Sequence, residues 1–215
     1  GVNAIIGILA AMLRPALIGA KKAAQKGKAK PEMADLVNAI NAYDAEYIRF
    51  PVSAASQAAA GTGDFTYGGT VLQNAGFSGA MTTSNAEVIA ILMDNAQTTV
   101  NANHQKNPKQ VKYLNAKMVS GNTLPGVGTD GVYRDPWGNP YVISMDLNYD
   151  EVCEDAFYKG SVSTGGLNGL IQQSNGNYAF HGKVMVWSAG PDGKIDTSAS
   201  ARANTGFNKD NVSSW

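Results

Sequence analysis

The side chains with most chemistry to offer are oxygen donors, and they gather in two places. Asp146, Asp150, Glu151, Glu154 and Asp155 crowd one short stretch. Acids so close are material for a paired-carboxylate acid–base site, but also for a solvated loop, which is the reading adopted. Nearer the C-terminus, Pro191-Asp192-Gly193 is a turn that presents a carboxylate, Asp196 follows, and Asn208, Asp210 and Asn211 lie in the last loop. Calcium takes about six to eight oxygens from carboxylates, amides and main-chain carbonyls, so this region is the candidate metal site. His104 and His181 have no sequence neighbours that would make a base with an orienting partner, and no nucleophile elbow, P-loop or HExxH is present. Cys153 is the single cysteine and is read as a free, inert thiol; disulfide and zinc scaffolds are excluded. An enzyme is therefore not expected.

The elements that must position these groups follow from patterning. Tyr141–Met145 and Val184–Trp187 are strand-like runs bounded by Asn-Pro and by Ala-Gly-Pro-Asp-Gly, and should share one antiparallel sheet. Asp135-Pro136-Trp137-Gly138-Asn139-Pro140 has the chemistry of a tight turn, with Trp137 expected against the long helix. Ser84 and Glu87 have capping-box spacing ahead of a short helix over 85–95, whose Val88, Ile89, Ile91, Leu92 and Met93 are core candidates. Residues 52–84 read as a long decorated loop, and 101–131 as a polar loop whose four lysines form a solvated face.

The long helix comes first. Met33, Leu36, Val37, Ile40, Tyr43, Tyr47 and Phe50 recur at three- and four-residue steps, and Pro51 is a natural stop. Ahead of them Ala4–Leu13 is uninterruptedly apolar and continues as Ala16–Ala20; a helix apolar all round needs a membrane or the interior of an assembly. It is short for a membrane span, carries Arg14 inside, and lacks the marks of a signal peptide. Ile5, Ile6, Ile8, Leu9, Met12, Leu13, Pro15 and Leu17 are the expected assembly residues. Joined, residues 4–50 would make a helix of about 70 Å, with a kink or break at Pro31. Two units follow: an apolar and basic segment, 1–30, and a globular head, 31–215.

With 215 residues, 44% apolar and 16% charged, the chain supports a packed core and excludes disorder. Its zero net charge removes the basic field that a nucleic-acid partner would require. That zero conceals a split. Residues 1–30 hold six of the 17 basic residues and no acid, so they carry +6; the other 11 face all 17 acids and leave −6. The first segment is thus built for a different environment from the rest.

IIGILAAMLRPAL, an alanine- and lysine-rich stretch, and EMADLVNAINAYDAEYIRFP resemble the N-terminal helix of type IV pilins and type II secretion pseudopilins, above all the major G-like pseudopilins. DPWGNPY at 135–141, SAGPDGKID at 188–196 and the terminal KDNVSSW add matches in the same order. The resemblance implies an α+β, pilin-like fold, in which a long N-terminal helix packs its amphipathic half on a small antiparallel sheet with long loops. It also implies calcium in the C-terminal loop. Asp192 falls on the aspartate of the family's GxDG turn, and Asp210 and Asn211 on the paired acids before the terminal tryptophan; Asn211 replaces the second acid, and the intervening loop is longer. Family members begin with a methylated Phe and an acid close behind it, whereas Gly1-Val2-Asn3 precedes the apolar block here. The expectation is a chain trimmed at its start.

The function implied is that of a structural subunit, a homo-oligomer in a helical filament of the pilus or pseudopilus class. It would be held in the inner membrane before assembly by secretion or pilus machinery, and afterwards lie in the periplasm or at the cell surface. The alternative is a membrane-tethered, monomeric, adhesin-like binding module.

Overall fold

The computed structural model describes the backbone of residues 2–215 and the side chains from Pro15 onward. Helix α1 spans Val2–Tyr47, 46 residues or about 69 Å at 1.5 Å per residue. It runs without interruption through Pro15 and Pro31. The expected break at Pro31 does not occur: proline forfeits one ladder bond, but Ala29 and Met33 on either side are buried against the head and hold the helix there. The helix also stops earlier than Pro51 requires. Ile48 takes φ +53 and its N–H closes on the Asp44 carbonyl, a left-handed terminus usually given to glycine. Ile5, Ile6, Ile8, Leu9, Met12 and Leu13 lie outside the described side chains.

The chain continues as α2 (Ala54–Ala60), β1 (Phe65–Tyr67), α3 (Gly69–Asn74), α4 (Ala86–Leu92), β2 (Gly126–Val127), β3 (Tyr133–Arg134), β4 (Val142–Met145), β5 (Val152–Cys153), β6 (Ile171–Gln172), β7 (Tyr178–His181), β8 (Val184–Ser188) and β9 (Val212–Ser213). The fold is α+β. Its main sheet has the order β1-β4-β8-β9, antiparallel throughout, with Ile143 opposite Val186 and Met145 opposite Val184. The two strands read from sequence, β4 and β8, form its centre. Residues 52–84 are not one loop, since they hold α2, β1 and α3.

Strand alternation sorts the sheet's two faces. Phe65, Tyr67, Ile143, Met145, Val184 and Val186 pack with Met33, Leu36, Ile40 and Tyr43 of α1. Val142, Met185 and Trp187 face the other way, toward Leu72, Phe157, Tyr158 and Leu170. The small sheet β5-β7-β6 belongs to that second layer. Trp137 is half-buried against the α1 side of the core, and in the same turn the Pro136 carbonyl accepts from Gln25 of α1 at 2.9 Å.

Asp155 joins the layers, and it is not the solvated loop acid its neighbours suggest. It is fully buried. Its Oδ1 accepts the N–H groups of Phe157 and Tyr158, both at 2.9 Å, while Oδ2 accepts the Ser144 hydroxyl at 2.7 Å and the Trp187 indole N–H at 2.9 Å. Asp146 is buried as well, accepting from the main chain of Asp150 and Glu151. The Ser84–Glu87 capping box does not form. Glu87 turns instead to the Ser56 hydroxyl at 2.6 Å and the Tyr67 hydroxyl at 2.5 Å, and the cap position, Asn85, spends its side chain on the main chain of Tyr133 and Tyr141.

Candidate functional site

The C-terminal oxygen donors sit on two short turns, 190–192 and 206–210, that contact each other. Gly190 makes the approach possible: at φ +69, a Cβ there would collide with the main-chain oxygen of Asp210. Its carbonyl accepts from Asn139 at 2.9 Å, which ties this loop to the 135–140 turn. That turn is organised by buried Asp135, which accepts from the N–H groups of Trp137 and Asn139 and from the Ser188 hydroxyl. Burial pushes the Asp135 carboxyl up to about 6.

Asp192 and Asp210 come within electrostatic reach. Burial raises the Asp210 carboxyl, and the Asp192 charge raises it further, against Lys22 of α1 and Lys209. Asp210 Oδ1 and Asn211 Oδ1 are buried with no hydrogen-bond partner, while the Asn211 amide donates to the Tyr158 hydroxyl at 3.0 Å. Asp196 is not turned to this group: its Oδ1 accepts the Ser198 N–H at 2.9 Å, and the Ser198 N–H and hydroxyl hold its carboxyl below the usual range. Asn208 is a staple, accepting the Asp196 N–H at 2.8 Å and donating to the carbonyls of Asp196 and Arg202. Among the described residues, no group of three or more His, Cys, Asp or Glu side chains is arranged to hold a metal ion.

A second polar cavity, ≈ 340 Å³, lies among Asp64, Asn148, Asp150, Glu154, Gln173 and Asn175. Asp64 was not singled out by sequence, because it precedes the acidic stretch by some 80 positions. Its Oδ2 accepts the Glu154 N–H at 2.6 Å, and its Oδ1 is buried without a partner. Burial first, then the charges of Asp146, Asp150 and Glu154, push its carboxyl up to about 7, although the Glu154 N–H pulls the other way. Nearby, Lys183 pairs with Asp44 at 2.8 Å, and Tyr149 lies on Phe50, 5.4 Å between ring centres. The acids thus gather at the end of the head where α1 terminates. Cys153 is buried, its thiol pushed well up by desolvation, and inert.

An apolar cavity of ≈ 420 Å³ opens beside α4, lined by Ile89, Met93, Met118 and Val127 with Asp94 and Lys112. Here the structure supplies a pairing that sequence reasoning missed: His104 Nδ1 lies 2.7 Å from Asp94 Oδ1, which also accepts from Asn101. Left-handed φ at Asp94, Asn103 and His104 folds the chain back to make it. Among the described residues no hydroxyl or thiol is hydrogen-bonded to His104, whose Nδ1 is engaged by Asp94.

On α1, every residue from Pro15 to Ala24 is exposed, Leu17 by 72% and Ile18 by 58%. Among the described residues no helix is long and apolar enough to cross a membrane. No family model, no curated protein and no solved structure matches the chain.

Proposed function

We propose that this chain is a structural subunit of a filament of the type IV pilus or type II secretion pseudopilus class, pilin-like in fold. The projecting half of α1 would lie inside the assembly and the head outside. The observation that carries this reading is Leu17 and Ile18, large apolar side chains exposed on the stretch of α1 where every residue from Pro15 to Ala24 is exposed. Burial of each such side chain is worth about 1.5–3 kcal/mol, which packing between parallel copies would recover. Held by the apolar segment in the inner membrane before assembly, subunits would be extracted by secretion or pilus machinery. Electron microscopy and sedimentation of the full chain test the reading. Regular fibres are expected, and Leu17→Asp with Ile18→Asp should abolish them while leaving the melting of the head unchanged. A chain that stays monomeric, or a double variant that still forms fibres, would overturn it.

Calcium in the C-terminal loop belongs to the same proposal. The fit rests on the two orphaned oxygens, Asp210 Oδ1 and Asn211 Oδ1, beside a pair of acids whose mutual repulsion a cation would relieve. Asp192 and Asp210 would hold it with Asn211, and main-chain carbonyls would complete the shell. The ion would supply positive charge and a cross-link between the two turns. With a Kd of about 10⁻⁴ M and about 1 mM calcium, the gain is about 1.4 kcal/mol, or a melting shift of about 3–6 °C for a chain of this size. Chelator should remove that shift in the parent and have no effect in Asp192→Ala. An identical melting temperature with calcium and with chelator would leave Asp192 as a turn residue.

A further inference from the structure

The cavity of ≈ 420 Å³ beside α4 takes no part in the filament reading or in the calcium site. Its wall is apolar. Ile89 and Ala90 of α4 and Val127 of β2 line it and are themselves buried, so they do not shift with solvent. Met93 and Met118 complete that lining, and Met118, unbranched and 58% exposed, is free to re-pack over an occupant. The polar groups beside it are unequally spent. Asp130 gives both carboxylate oxygens to Arg134, at 2.9 and 2.6 Å. Asp94 Oδ1 takes His104 and Asn101, and that side chain is only 8% exposed. The hydroxyl protons of Thr98 and Thr129 go to the Asn95 carbonyl and to Asn122 Oδ1. Donors are what remain. Among the described residues the exposed Lys112 has no ion-pair partner, and the Asn95 side-chain amide accepts from Gln97 while its own N–H groups donate to nothing. A ligand that completes this wall brings an apolar body and a head that only accepts.

We propose that this cavity binds a free aliphatic monocarboxylate, its chain against Ile89, Met93, Met118 and Val127 and its carboxylate on Lys112 and Asn95. Size agrees. At about 30 Å³ per heavy atom, the share of a water in the liquid, the eight carbons and two oxygens of octanoate need about 300 Å³. The ≈ 420 Å³ present holds them. Chemistry selects the head. A carboxylate accepts through both oxygens and donates nothing, which matches the donors left over, whereas an alkylammonium would meet Lys112 as a like charge. An alcohol of the same length keeps the apolar contact and loses the charge-assisted bond, so it should bind more weakly. The site is independent of the filament reading, since nothing in it requires a second copy.

Photolabelling of the full chain tests it in any state of assembly, with octanoic acid carrying a mid-chain diazirine as the probe. Label should fall on the segments around Met93 and Met118, saturate, and be displaced by excess octanoate but not by octylamine. Lys112→Glu, an exposed change, should lower that labelling about tenfold at sub-saturating probe, because a charge-assisted hydrogen bond gives way to like-charge repulsion. Lys117→Glu, exposed and outside the lining, should leave it unchanged. Ala90→Leu places a larger side chain in the cavity and should abolish the label; should that variant not fold, Lys112→Glu decides alone. Label confined to the apolar residues 4–20, displacement by octylamine as complete as by octanoate, or equal labelling of the parent and Lys112→Glu would each overturn the site.

Discussion

Replacing Asp155 by alanine removes the acceptor of four hydrogen bonds from a site with no access to water. The Ser144 hydroxyl keeps a partner in Thr66, 2.8 Å away. The Trp187 indole N–H and the main-chain N–H groups of Phe157 and Tyr158 keep none. Each orphaned buried donor costs about 1–3 kcal/mol, and the carboxylate's own desolvation is returned in part, so a net loss of about 4 kcal/mol is expected. For a chain of this size that lowers the melting temperature by about 8–16 °C. Urea unfolding followed by tryptophan fluorescence and by circular dichroism measures it. Trp187→Phe removes one of the stranded donors, so the double variant should lose about 1–2 kcal/mol less than the two single losses combined. Asp150→Ala, in the same acidic stretch but exposed, should cost less than about 1 kcal/mol. If Asp155→Ala and Asp150→Ala unfolded together, Asp155 would not be the pin between the layers.

Tyr43 is fully buried, stacks near Tyr47 and Tyr113, and donates to the Lys106 carbonyl at 2.5 Å; Tyr43→Ala should cost about 3–5 kcal/mol, and Arg49→Ala at the half-exposed edge much less. Equal losses in chemical denaturation would remove the assignment of that helix face. Asp64 gives a pH test. Its folded carboxyl sits at about 7 against an ordinary 3.8, so the folded chain holds the proton more tightly; that stabilisation is complete below about pH 4 and lost as pH rises to about 7. Asp64→Asn does not titrate and should gain on the parent through that window and keep the gain at pH 8. Parallel stability curves for the two would show that Asp64 is not desolvated.

The long helix was legible because a period of three and four over Met33 to Tyr43 has one physical meaning, and β4 and β8 because short apolar runs between turn residues have few others. The strand β1 was not: three residues among glycines acquire strand character only from pairing with β4, some 80 positions away. Glu87 was misread for a related reason. Local spacing favours a cap, but Tyr67 and Ser56 offer buried hydroxyl donors that the spacing does not reveal. The acids show the same limit most plainly. Asp150 and Asp155 are alike in sequence, yet one is exposed and the other buried, because the donors of Asp155 come in part from Ser144 and Trp187 on the sheet. Of the C-terminal donors, Asp192 and Asp210 come within electrostatic reach because Gly190 lets their two turns approach, which local turn chemistry does not reveal. The set of the Asp196 carboxylate is decided by Ser198, which the ligand count did not consider.

Helix α1 is continuous by its backbone and divided by its surroundings. Between Pro15 and Ala24 no residue is covered, while from Ala29 onward one side is locked to the sheet. A helix of so few uncovered turns would scarcely persist alone in water, since the cost of nucleation exceeds what a short ladder returns. Here the head acts as a permanent nucleus, and the projecting turns only propagate from it. Their amide protons should exchange with solvent by fraying from the free side, whereas those near Tyr43 exchange only when the whole head opens. One helix thus spans the range from local breathing to global unfolding. The projecting part is the part whose order is cheapest to make and to lose.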